Sequence, residues 1–273
     1  MENARMSDVL FDFESQFREK RILWRTFELA PLRYSLAQGR IFKWFGINIP
    51  LSLVGCQGDI DLLMSLRDLP VRKFADVYET FELKTTLISR HGRAISLKAS
   101  SLKTKQLLGQ LMRYRECGSP SVSLLEIYVC EDGFFEQLTP LPRSVLAAIE
   151  NKLTAVAEKR FGYSIVVTQF DQTSERESDL SDYYGLRVLN TNRNPGTPII
   201  RGPSPLLTDA HAPFTELTTL MENFVAHEIK AARTTLGRCI VTYCVACRRL
   251  ITLDNRNDYR CRHCGDALAM QTT

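Results

Sequence analysis

Long apolar runs are missing from the sequence, and so is a recognisable secretory signal. No stretch of about 18 or more apolar residues occurs, so we expect no membrane span and no membrane partner. The N-terminal residues, Met1 to Asp8, lack the apolar segment of a signal peptide, which favours a cytoplasmic protein. A glycine-rich phosphate loop is also missing, so ATP hydrolysis is not expected.

Histidines are few and scattered. His91, His211 and His227 lie far apart and have no serine or cysteine partner at a recognisable spacing, so nothing supports a nucleophilic hydrolase. Otherwise the 273 residues have an ordinary composition, with 44% hydrophobic and 24% charged residues, typical of a soluble globular protein. The net charge of +4 permits a polyanionic partner without requiring one.

Hydrophobic periodicity predicts an α/β protein with a mixed sheet. Strands are expected within residues 32 to 66, 77 to 88, 94 to 98, 122 to 130 and 163 to 169. Helices are expected over residues 7 to 28, 101 to 116, 142 to 161 and 214 to 236. A strand, a long helix and a strand in that order indicate a right-handed crossover.

Composition also divides the chain. Residues 1 to 170 are expected to form the main domain, while residues 171 to 213, acidic at first and then rich in proline, form a linker or long loop. A helix over residues 214 to 237 then leads to a small cysteine-containing tail, residues 238 to 273.

Acidic side chains occupy two segments that otherwise have the pattern of buried strands. Asp61 precedes an apolar stretch, and Glu82 and Lys84 lie inside a strand-like segment. Because residues i and i+2 of a strand share a face, Glu82 and Lys84 project together, with Leu83 on the opposite face. Charges beside a core are costly unless they are paired or hold a metal. These residues therefore indicate a divalent-metal phosphodiesterase site, for which the Leu83 carbonyl is a further candidate ligand.

The following helix carries a polar stripe. Gln106, Gln110 and Tyr114 are spaced at i, i+4 and i+8 and so share a face of the helix. Lysines and arginines flank them, and such a surface can contact a nucleic-acid backbone.

Together these segments resemble the PD-(D/E)XK nuclease superfamily, in its RecB-like and Mrr-like branches. The matching motifs, in chain order, are Gly58-x-x-Asp61, Glu82-x-Lys84 and Gln110-x-x-x-Tyr114. The resemblance implies a restriction-endonuclease-like αβββαβ core over about residues 7 to 170 and cleavage of DNA that depends on Mg²⁺ or Mn²⁺.

The resemblance also implies roles for single residues. Asp61 and Glu82 carry over as metal ligands and Lys84 as the catalytic lysine. Gln110 and Tyr114 carry over as the helix motif of the RecB-like branch.

Two further points of the comparison concern the first helix and the first motif. Glu14 carries over as the acid borne by the first helix. The first motif departs from the superfamily pattern, because no proline precedes Asp59 or Asp61; the RecB-like branch commonly has Gly-x-x-Asp instead.

Other interpretations of the same residues stay open. A single Glu-x-Lys in a strand is usually a solvated, ion-pairing face, and an acid after Gly58 can belong to a turn. The alternative to a nuclease is a catalytically inactive nuclease fold that binds DNA or acts as a scaffold. RNA is an alternative substrate, and both endonuclease and exonuclease action fit the motifs.

Four of the eight cysteines form two Cys-x-x-Cys pairs separated by 13 residues, the ligand spacing of a zinc ribbon. These ligands are Cys244, Cys247, Cys261 and Cys264. Four thiolates complete a tetrahedral shell, so the Zn²⁺ is expected to be structural. Two redox dithiols are the weaker interpretation. The basic residues of the tail suit phosphate contacts, whereas docking of a protein partner is the alternative.

Overall fold

A computed structural model gives the fold of the chain. It describes residues 40–68, 76–91, 94–99, 104–130, 143–170, 186–188, 201–202, 211–231, 239–253 and 261–266. The predicted first helix, including Glu14, lies outside these residues.

The described residues alternate between strands and helices. The strands are β1 (Arg40–Pro50), β2 (Asp59–Asp68), β3 (Asp76–His91), β4 (Ala94–Ala99), β5 (Val122–Cys130), β6 (Gly162–Phe170), β7 (Leu186–Val188), β8 (Arg201–Gly202), β9 (Cys239–Cys244) and β10 (Arg249–Thr252). The helices are α1 (Thr104–Glu116), α2 (Arg143–Glu158) and α3 (Ala212–Lys230), with a short 3₁₀ helix at Leu51–Val54. The α/β class predicted from the sequence is therefore confirmed.

Two compact units share the chain. The first contains the described residues within Leu83–Leu108 and Leu124–Ser204, and the second contains those within Phe27–Glu82, Gly109–Ser123 and Pro205–Thr273. In the second unit the strand order is β10-β9-β1-β2-β3, followed by the start of β5. In the first unit β4 pairs with the end of β3, and β6 is flanked by β5 and β7 and also pairs with β8.

The sheet is mixed, as predicted, and the cysteine-containing tail joins it. Strand β9 lies parallel to β1, whereas β2 and β10 are antiparallel to their neighbours. The first strand of the tail is thus hydrogen-bonded to the first strand described in the chain. Within the segment predicted as a linker, β7 and β8 each add a short strand to β6.

One face of β3 carries polar side chains at alternate positions. Tyr78, Thr80 and Glu82 share this face because strand residues alternate between the two sides of a sheet. The register pairs Tyr78 with Ser65 and Thr80 with Leu63 on β2. Polar groups in such a buried position need partners, and three covering elements supply them here: α3, the α1–β5 loop and α1.

Glu222 of α3 accepts a hydrogen bond from Tyr78, the first of the three polar positions on β3. Its Oε1 accepts hydrogen bonds from Tyr78 OH and Ser65 Oγ, both at 3.1 Å. Trp44 Nε1 donates to the same oxygen at 2.9 Å, and the Lys43 ammonium lies 3.0 Å from both carboxylate oxygens. One helical carboxylate therefore connects α3 to β1, β2 and β3.

The loop after α1 is hydrogen-bonded to Thr80, the middle one of the three polar positions on β3. Thr80 Oγ1 donates to the Ser121 carbonyl at 2.8 Å and also contacts the Ser119 hydroxyl. Gly118, in the same loop, has φ +96, and a Cβ there would lie 2.6 Å from the Cβ of His211 at the start of α3. Only glycine therefore allows this loop to pack between β3 and α3.

Replacing Glu222 by alanine is expected to lower the free energy of unfolding by about 3 kcal/mol, since Lys43 and three other donors lose their shared acceptor. Urea denaturation measures the change. Glu216→Ala, an exposed position on the same helix, is the control and should shift the free energy by less than about 0.5 kcal/mol. Equal denaturation midpoints for both variants would show that the Glu222 network adds no stability.

Candidate functional site

The two predicted acids lie on neighbouring strands. Strands β2 and β3 pair Leu62 with Phe81, and continuing this antiparallel register by one residue brings Asp61 beside Glu82. Glu82 is only 2% exposed, while Asp61 is partly exposed. The register therefore brings together the two carboxylates that the sequence analysis selected, on the polar face of β3.

Tyr114 of α1 contacts both acids. Its hydroxyl donates to Glu82 Oε2 at 2.5 Å and accepts a 3.4 Å hydrogen bond from the backbone N–H of Asp61. Burial raises the pKa of Tyr114 well above its usual value, and the negative charges of Asp61 and Glu82 raise it further. The phenol is therefore neutral at physiological pH and acts as a hydrogen-bond donor to Glu82.

Gln110 lies one helical turn before Tyr114 and so on the same face of α1. Its Oε1 atom is buried and has no hydrogen-bond partner among the described residues. A buried acceptor of this kind usually has a water or an ion as its partner. Gln106, one turn earlier, is exposed.

Asn48 of β1 is a residue that sequence reasoning missed. The paired positions on either side of it, Ile47 with Leu62 and Ile49 with Ile60, place Asn48 across from Asp61. Its Oδ1 atom is also buried without a hydrogen-bond partner among the described residues. The available signal was an asparagine between two isoleucines, because asparagine is depleted in strands.

Lys84 and Leu83 belong to the first unit. Lys84 follows Glu82 by two residues in β3 and is partly exposed, and Leu83 between them is 1% exposed. Asp59 is exposed and begins β2.

The oxygen atoms of the second unit suit a hard divalent cation. Mg²⁺ and Mn²⁺ prefer carboxylate, amide and water oxygens, which Asp61, Glu82 and Gln110 can offer. The amide oxygen of Gln110 needs a donor or a cation that the described residues do not provide. The residues present therefore fit such an ion chemically.

The four tail cysteines come together as predicted. One ligand atom from each lies within 4.8 Å of all the others. The sulfur atoms of Cys244 and Cys264 are 3.6 Å apart, as are those of Cys247 and Cys261. Four sulfurs around a zinc ion at about 2.3 Å would be about 3.8 Å apart, whereas a disulfide would need about 2.05 Å. The cluster can therefore hold a metal ion such as zinc.

Backbone groups around the cluster favour the thiolate form of one ligand. Burial opposes ionisation of Cys261, but N–H groups of His263 and Cys264, together with neighbouring thiols, lower its pKa to about 7. The His263 N–H lies 3.4 Å from the Cys261 sulfur. Zinc binds the thiolate, so this arrangement prepares a ligand for the metal.

A salt bridge fixes the cluster to α3. Arg262, beside Cys261, donates to Glu228 Oε2 at 2.7 Å, and Thr252 of β10 donates to the same oxygen at 3.0 Å. Helix α3 therefore contacts the sheet through Glu222 and the cysteine hairpin through Glu228.

Comparisons with protein-family models, with curated proteins and with solved structures found no match for this chain. Among the described helices, none is both long and apolar enough to cross a membrane.

Tyr114→Phe is expected to lower the free energy of unfolding by about 1–3 kcal/mol at neutral pH, since Glu82 loses a buried donor. Because the folded pKa of Tyr114 is raised, its contribution is complete below about pH 10 and is lost as the pH rises further. Urea denaturation at pH 7 and above pH 10 should therefore show a smaller difference between the wild type and the variant at the higher pH.

The matched control is Tyr243→Phe, which removes a partly exposed hydroxyl from β9. It should change the stability little at either pH. A stability loss that is equal for the two variants would contradict the role assigned to Tyr114.

Cys261→Ser is expected to abolish binding of about one zinc ion per chain, because the tetrahedral shell loses a thiolate. Atomic emission spectroscopy of the purified protein measures the zinc content, and thermal unfolding measures the accompanying loss of stability. Cys56→Ser, outside the cluster, should retain the zinc. Zinc retained by Cys261→Ser would show that the four cysteines are not the ligands.

Proposed function

We propose that the protein is a metal-dependent nuclease that hydrolyses phosphodiester bonds of DNA with a metal-activated water. The observation that carries this proposal is the meeting of three predicted site residues: Asp61 and Glu82 on paired strands, and Tyr114 in contact with both. These residues were selected from motifs that are far apart in sequence. Their proximity is expected for a shared site and is not required of three unrelated surface features.

In the proposed site Asp61, Glu82 and the backbone carbonyl of Leu83 would hold Mg²⁺ or Mn²⁺. The bound ion would lower the pKa of a water and neutralise charge on the phosphate. Lys84 would orient that water or stabilise the negative charge that develops on the phosphate. Glu82, Leu83 and Lys84 are consecutive in β3, so this strand would supply most of the groups that act on the metal and the phosphate.

Tyr114 and Gln110 would be positioning residues. The neutral hydroxyl of Tyr114 donates to Glu82 Oε2, which would help to fix the rotamer of this carboxylate at the proposed metal site. The buried Gln110 Oε1 would accept a hydrogen bond from a water bound to the ion or from the substrate. A helix would thus orient ligands that the sheet supplies.

The cysteine cluster would hold a structural Zn²⁺, because four thiolates leave no open position for a substrate. Arg248 and Arg249, which follow Cys247, are exposed and can contact phosphates of DNA or RNA. Docking of a protein partner is the alternative use of this surface.

A second candidate function is a non-catalytic DNA-binding or scaffolding protein with the same fold. One observation favours it: Glu82 is almost completely buried and is already hydrogen-bonded by Tyr114. A carboxylate in that position can serve structure alone. Metal binding separates the two functions, since a scaffold would bind zinc only.

Lys84→Ala and Asp61→Asn are each expected to reduce DNA cleavage by at least about 100-fold. The first removes the ammonium group that would stabilise negative charge on the phosphate, and the second removes a carboxylate ligand of the proposed metal ion. Cleavage of linear and circular, single-stranded and duplex DNA with Mg²⁺ or Mn²⁺ measures the effect. The circular substrates also separate endonuclease from exonuclease action, and a parallel RNA substrate tests the sugar.

Lys230→Ala is the control for the lysine, because Lys230 is exposed at the end of α3 and outside the proposed site. It should cut DNA within about twofold of the wild type. The nuclease proposal fails if the wild type cuts no substrate, or if Lys84→Ala cuts as fast as Lys230→Ala.

A further inference from the structure

Asn48 has a backbone conformation that is unusual in a strand. Its φ of 52° lies in the left-handed region, although the flanking positions belong to the β1–β2 ladder. Asparagine adopts this region more readily than most residues other than glycine. Such conformations cost free energy and cluster at functional sites, where the surrounding structure holds them.

The left-handed conformation of Asn48 interrupts the strand pairing beside Asp61. The β1–β2 pairing includes Ile47 with Leu62 and Ile49 with Ile60, but not Asn48 with Asp61. At this interruption the backbone N–H of Asp61 donates to Tyr114 OH. The irregularity in β1 therefore falls at the strand position that carries the first proposed metal ligand.

The side-chain oxygen of Asn48 is a hydrogen-bond acceptor for which the described residues provide no donor. Its Oδ1 is buried and has no hydrogen-bond partner among the described residues. Leaving such an acceptor unsatisfied costs about 1–3 kcal/mol, so a water or a cation at this atom is the expected partner. The amide oxygen of Gln110, on the helix that carries Tyr114, is also buried and has no hydrogen-bond partner among the described residues.

We propose that Asn48 Oδ1 is an additional neutral oxygen ligand, direct or through one water, for the divalent cation at Asp61 and Glu82. This inference rests on the proposed function, since it assumes the cation. A neutral ligand adds an oxygen to the coordination shell without adding a third negative charge beside two close carboxylates. An amide is therefore chemically suited to this position in β1.

The left-handed backbone and the amide oxygen can be separated by substitution. Asn48→Gly permits the same φ and removes the oxygen, so it isolates the contribution of the side chain. Asn48→Asp keeps the side-chain shape and the tolerance of left-handed φ, and it replaces the neutral oxygen with a charged one. Asn223→Asp, at an exposed position of α3, is the matched control for the added charge.

Mn²⁺ binding to the full-length, zinc-loaded protein is the test, measured by isothermal titration calorimetry and by the electron paramagnetic resonance signal of free Mn²⁺. Asn48→Gly is expected to weaken Mn²⁺ binding about tenfold or more. Asn48→Asp is expected to tighten it, because ligand charge increases affinity. Asn223→Asp should bind Mn²⁺ as the wild type does.

The outcomes distinguish this inference from the nuclease proposal. If the wild type and Asp61→Asn bind Mn²⁺ equally, there is no cation at the carboxylates and the proposed function fails. If Asp61→Asn loses binding but Asn48→Gly does not, the inference about Asn48 is overturned alone. Asn48→Asp decides the same question if the glycine variant does not fold, since unchanged or weaker Mn²⁺ binding would also overturn the inference.

Discussion

The polar face of β3 is the constraint on which the arrangement of the second unit depends. Tyr78, Thr80 and Glu82 occupy successive positions on this face, and each has its own partner: Glu222 of α3, the α1–β5 loop and Tyr114 of α1. Apolar side chains would tolerate sliding of the covering helices, whereas buried hydrogen bonds are lost when either partner moves. Three such groups therefore fix where both helices lie on β3.

This constraint couples the candidate site to the cysteine tail through one helix. Within α3, Glu222 binds the sheet, and Glu228, less than two turns later, binds Arg262 beside a cysteine ligand. Strand β9 reinforces the connection because it pairs with β1, the strand that carries Asn48. A metal in the tail would thus stabilise the sheet edge next to the carboxylates as well as its own hairpin.

Much of the fold could be predicted because it depends on local periodicity. The strand with Glu82, the helix with Tyr114 and the cysteine spacing were all evident from residues close in sequence. The Glu222 network was not, because its donors lie 144 to 179 residues away and an acid on a helix is usually exposed. The left-handed φ of Asn48 was missed for another reason: propensity describes the average strand and not a single irregular position.

The Glu222 network and the amide oxygens of Gln110 and Asn48 differ in how well their hydrogen-bond acceptors are matched by donors. In a purely structural pair, buried acceptors would be matched by donors, as Glu222 is by Lys43 and three uncharged groups. Near Asp61 and Glu82, the O–H of Tyr114 is donated to Glu82. The amide oxygens of Gln110 and Asn48 have no hydrogen-bond donor among the described residues, so each can accept a hydrogen bond from a bound water or contact a cation. Amide oxygens of this kind are among the ligands that the proposed divalent cation would use.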